Sequence, residues 1–80
     1  EEYKIDIVIH AYDRNSLLRD ITQLLSAEKV NVFSLSTNIN KNDNTALVYL
    51  TIDVDGLEGL SRLLNQFKQL PNVMDAKRQN

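Results

Sequence analysis

The spacing of apolar residues along this 80-residue chain alternates between two and roughly 3.6, in the order two, 3.6, two, two, 3.6, two. Tyr3, Ile5, Ile7 and Ile9 alternate with Lys4, Asp6, Val8 and His10, the pattern of a half-buried strand. Leu17, Leu18, Ile21, Leu24 and Leu25 then form the stripe of an amphipathic helix ending near Glu28, with Asn15 or Ser16 placed to cap its start. Alternation returns from Val32 to Ile39, with Phe33, Leu35 and Ile39 opposite Ser34, Ser36 and Asn38.

Asn40-Lys41-Asn42-Asp43-Asn44 reads as a hairpin loop, because Asn and Asp tolerate left-handed backbone angles and bond their own main chain. Ala46, Val48, Leu50, Ile52 and Val54 give a third strand its inward face; Thr45, Leu47, Tyr49, Thr51 and Asp53 point outward. Asp55 and Glu58 have the spacing of a capping box, and Leu57, Leu60, Leu63, Leu64, Phe67 and Leu70 continue as a helical stripe. Pro71 stops that helix, and Val73 to Arg78 forms a short last strand.

The order strand, helix, strand, strand, helix, strand makes two interlocked strand-helix-strand units. The expected fold is an α+β, ferredoxin-like βαββαβ sandwich. It has a four-stranded antiparallel sheet of order 4-1-3-2 with both helices on one face. Residues 1–80 read as a single domain. A chain this short buries only about 60% of its unfolded surface, which leaves little room for a deep pocket and favours association.

Charge and composition narrow the chemistry. A net charge of −2 exerts no global pull on nucleic acid or anionic membrane. There is no cysteine, hence no thiolate nucleophile or Cys-type zinc site, and the single His10 has no second ligand in a metal-binding spacing. No cofactor is expected. No apolar run approaches the ~20 residues of a membrane-spanning helix. The chain begins Glu1-Glu2-Tyr3 and its one methionine is Met74, which suits a piece of a longer protein.

With helices on one face, the other carries Val8, Leu47 and Tyr49 on the two central strands, an apolar set that reads as a partner surface. The second strand, at the rim, offers edge pairing instead. Either contact gives a two-fold homodimer, and the sequence does not choose between them.

Asp13-Arg14-Asn15-Ser16-Leu17-Leu18-Arg19-Asp20-Ile21 resembles the D-R-x-G-L-L-x-D-I signature of ACT domains. Glu28-Lys29-Val30-Asn31-Val32 resembles that family's entry into its second strand, and Leu70-Pro71-Asn72-Val73-Met74-Asp75-Ala76-Lys77-Arg78 its L-P-x-V-x-x-A-x-R ending. The set is most similar to the C-terminal ACT domain of RelA/SpoT-type (p)ppGpp synthetase/hydrolases, also known as GTP pyrophosphokinases. The resemblance implies a non-catalytic regulatory module of a cytoplasmic stringent-response enzyme, acting by dimerisation and amino-acid sensing. Its implied partners are a second copy, an amino acid, the catalytic domains of the parent chain and, through the parent, the ribosome.

The implied ligand residues are Asp13, Asn15, Ser16, Leu17, Leu18 and Asn31. The start of the first helix offers free N–H groups and a positive dipole end to a carboxylate. Asp13 suits an ammonium group, and Asn31 both donates and accepts. The plainer readings are that Asp13 and Asn15 only turn and cap the chain, that Asn31 supplies a left-handed angle, and that Arg14 and Arg19 are solvated. Ser16 departs from the family's usual glycine. The competing classes are an RNA-binding module of the same fold, for which the third strand supplies one aromatic and no arginine, and an acylphosphatase-like enzyme, for which Arg14 lacks a glycine-rich cradle.

Overall fold

A computed structural model describes residues 3–79. Strand β1 runs Tyr3–Tyr12, helix α1 Leu17–Ala27, strands β2 Asn31–Asn40 and β3 Thr45–Val54, helix α2 Leu57–Lys68, and strand β4 Val73–Arg78. The strands pair antiparallel in the order β2-β3-β1-β4. Element order and sheet order are those the apolar spacing implies.

The core is one seam. Ile5, Ile7, Ile9 and Ala11 of β1 and Ala46, Val48, Leu50, Ile52 and Val54 of β3 share a face, because residue pairs such as Ile7–Leu50 and Ile9–Val48 lie directly opposite. Leu17, Ile21 and Leu25 of α1 and Leu60, Leu63 and Phe67 of α2 close over them, and Ala76 of β4 completes the seam. No residue of β2 belongs to the core: all ten are exposed.

Three local details differ from the sequence expectation. Helix α2 starts at Gly56, whose φ of 94° suits glycine, rather than at Asp55, and no side chain caps it, so the Asp55–Glu58 capping box does not form. Leu57 consequently sits outside the core at 74% exposure. The left-handed residue after α1 is Lys29, with φ 57°, and not Asn31.

The third difference is in β2. Val32 pairs with Ile52 and Ser34 with Thr51, so Phe33 is an extra residue in a β-bulge. The bulge turns Phe33 away from the side shared by Leu35 and Ile39. Its ring lies on the outer face, with Lys4 Nζ 4.5 Å from the centroid. Beyond the bulge, Leu35 lies opposite Leu50 and Ile39 opposite Ala46, so both point to the helix side of the sheet.

The division between a sealed seam and a bare strand has a measurable consequence. Ile7→Val should cost about 1 kcal/mol of unfolding free energy. Ile39→Val, at a site 47% exposed, should stay within about 0.5 kcal/mol. Urea denaturation of the dilute protein checks both, and equal losses would contradict the placement of β2 outside the core.

Candidate functional site

The loop between β1 and α1 is built around Arg14. Its side chain is only 17% exposed and forms an ion pair at 2.9 Å with Asp20. Arg14 Nε donates to the Pro71 carbonyl at 3.1 Å, and Arg14 Nη1 donates to Ser16 Oγ. One guanidinium therefore ties the start of α1 to the turn before β4, a geometry matched to its planar fork of donors. Tyr12 N–H donates to the Asn72 carbonyl at 2.9 Å beside it. The expectation that Arg14 is solvated is thus corrected; Arg19, with its side chain 69% exposed and 3.8 Å from Asp20, fits it.

Ser16 stands at the cap position of α1 without capping it, because its hydroxyl is engaged by Arg14. Its φ of −100° is open to any residue, so this backbone does not require the glycine that the family usually has there. Leu17 N–H donates to the Arg14 carbonyl, whereas among the described residues no backbone carbonyl accepts from Leu18 or Arg19. Asp13 and Asn15 are exposed at the mouth of the loop, and Asp13 N–H donates to the Asn44 carbonyl at 2.7 Å. Asp13, Asn15, Ser16, Leu17 and Leu18 therefore cluster, with Leu17 buried beneath them and Leu18 40% exposed.

Asn31 lies elsewhere. It pairs with Asp53 near the end of β3, whereas Asp13 sits beside Asn44 at the beginning of that strand. The eight residues from Thr45 to Asp53 separate the two groups by roughly 26 Å at about 3.3 Å per residue. Asn31 instead lines a polar cleft of ≈ 650 Å³ with Glu28, Lys29, Asp53, Asp55 and Arg62. There Glu28 accepts from Arg62 Nε at 3.3 Å and Gln66 Nε2 at 3.4 Å, joining the end of α1 to α2. One copy of the chain does not assemble the full ligand set.

Val8, Leu47 and Tyr49 do come together. Val8 lies opposite Tyr49 on the outer face, Leu47 is opposite His10 one step along, and all three apolar residues are half-buried. His10 is exposed, and among the described residues no group of three or more His, Asp or Glu side chains is arranged to hold a metal. No helix in the described residues is long and apolar enough to cross a membrane.

The sequence reading missed the Arg14 clamp and the Glu28 bridge. The Arg14–Asp20 spacing signals a loop-to-helix pair, but the bond to Pro71 spans 57 residues and has no local signature.

The model of the ACT domain family matches residues 1–78. The chain belongs to the ACT domain family. It is 38% identical over 76 residues to the GTP pyrophosphokinase of Escherichia coli K12, covering 95% of this chain and 10% of that enzyme. It is 33% identical over 76 residues to the bifunctional (p)ppGpp synthase/hydrolase RelA of Mycobacterium tuberculosis, again with 95% and 10% coverage. This ACT domain thus spans about a tenth of the length of these relatives. The crystal structure of the ACT domain from the GTP pyrophosphokinase of Chlorobium tepidum superposes with a TM-score of 0.84 at 22% identity, over 99% of this chain and 100% of that one, which shows the shared fold.

Removing the clamp should loosen both segments it joins. Arg14→Ala should lower the unfolding free energy by about 2 kcal/mol, the scale of a half-buried charged hydrogen-bond set. Arg14→Lys should recover less than half, because a point charge cannot reach three acceptors. Urea midpoints check this; an unchanged midpoint for Arg14→Ala would refute the structural role.

Proposed function

We propose that this ACT domain is the non-catalytic regulatory module of a GTP pyrophosphokinase or (p)ppGpp synthetase/hydrolase of the cytoplasmic stringent response. It works as a homodimer that senses an amino acid and passes occupancy to the catalytic domains of its parent chain. The observation that carries the reading is the end-to-end similarity to one-tenth of such enzymes, at 38% identity.

The chemistry supports an amino-acid ligand. The N–H groups of Leu18 and Arg19 at the start of the eleven-residue helix α1 suit a carboxylate, and the exposed Asp13 carboxylate suits an ammonium group. Asn31 of the same chain is too distant to join them. A second copy running antiparallel would bring its own Asn31 toward this loop, which explains why sensing and dimerisation belong together.

RNA or ribosome docking is the second reading. The bulge favours it in one respect, placing Phe33 on the same outer face as Tyr49. The charge of that face opposes it, since Lys4 and Lys77 share it with Asp6, Asp53 and Asp75.

Titration of the isotope-labelled domain with each of the twenty amino acids tests the sensing role. At least one should shift the amides of Asp13–Leu18 and of Asn31 together, and Asp13→Ala should weaken its binding by about tenfold or more. Absence of any response would leave a dimerisation module without a ligand.

A further inference from the structure

The two edges of the sheet are finished differently. Strand β4 is six residues long and carries Asp75, Lys77 and Arg78, the charges and brevity that protect an edge from pairing. Strand β2 is ten residues long, with no charge and no proline, and only β3 pairs with it among the described residues. Its helix-side residues Val32, Leu35 and Ile39 are 42%, 38% and 47% exposed, although their partners on β3 are buried. An exposed edge of this kind is a template for another strand.

We propose that β2 pairs antiparallel with β2 of a second copy, in the register that places Thr37 on the two-fold axis. The bulge at Phe33 limits regular pairing to Ser34–Asn40, and Thr37 is the middle of that stretch. In this register Leu35 lies opposite Ile39 of the second copy, and Ile39 opposite its Leu35. Two apolar pairs then form on the helix side, while Ser34, Ser36, Asn38 and Asn40 meet on the outer side. Shifting the axis to Ser36 sets Leu35 against Thr37; shifting it to Asn38 sets Ile39 against Thr37 and Leu35 against Lys41. Only the Thr37 register matches apolar with apolar twice.

Charge agrees with self-pairing. A two-fold contact sets every charge near its own copy, and the uncharged strand avoids that repulsion. At the ends, the register brings Lys29 of one chain beside the Asp43 hairpin of the other, twice by symmetry. A stable interface removes roughly 800 Å² from each partner. That is a modest share of the 5201 Å² this chain exposes and is within reach of a ten-residue strand with its flanking hairpin.

This inference deepens the reading of the module as a dimer, and its test is independent of any ligand. Because the chain has no cysteine, single substitutions report contacts cleanly. Under mild oxidation without amino acids, Thr37→Cys should form a disulfide-linked dimer at least tenfold faster than Ser34→Cys or Asn40→Cys. A mixture of Leu35→Cys with Ile39→Cys should cross-link heterologously, faster than either alone. Leu35→Lys/Ile39→Lys, checked by circular dichroism for retained folding, should raise the dimer dissociation constant at least a hundredfold in sedimentation equilibrium. Fastest cross-linking at Ser36→Cys, Asn38→Cys or Leu35→Cys would overturn the register. Cross-linking confined to Val8→Cys or Tyr49→Cys would overturn the interface while keeping a dimeric module. A monomer at millimolar concentration would overturn both.

Discussion

The apolar seam between the helix layer and the inner faces of β1 and β3 determines the rest of the molecule. Sixteen buried residues hold it together, and β2 contributes none of them. Two helices of eleven and twelve residues cover three strands and leave the fourth bare on its apolar side. A small domain gains stability from every apolar area it can bury, so an uncovered apolar strand is a lasting bias toward association. The fold provides its own core and an incomplete rim at once.

That rim connects to the candidate site through topology. In one chain the first loop and the start of β2 occupy opposite ends of the sheet. Reversing the direction of a second β2 alongside the first exchanges those ends, so each loop meets the Asn31 end of the other chain. Arg14 gives the loop a defined shape before any ligand arrives, since its ion pair with Asp20 and its bond to Pro71 hold the start of α1 against the turn before β4. The site thus has one rigid half supplied locally and one half supplied by pairing.

Most of the architecture was legible because apolar spacing reports which face of each element is inside, and the short loops leave few ways to connect them. The features that escaped the reading depend on distance or on a single inserted residue. Val32-Phe33-Ser34 contains no glycine to announce a bulge, yet one extra residue there reverses the side on which Phe33 lies. The stripe of α2 included Leu57, but Gly56 at φ 94° begins the helix one residue later and leaves Leu57 outside. Ser16 looked like a helix cap or a lost glycine. Its hydroxyl instead serves an arginine whose other bond is formed 57 positions away. In the candidate site, residue types were readable, whereas their division between two ends of the sheet follows only from the strand pairing.

Amide hydrogen exchange along β2, measured across a range of protein concentrations, tests the central claim most directly. The account predicts that outward-directed amides within Ser34–Asn40 slow as concentration rises, while those of β4 keep their rate. Exchange along β2 that is fast and independent of concentration, up to millimolar protein, would contradict it.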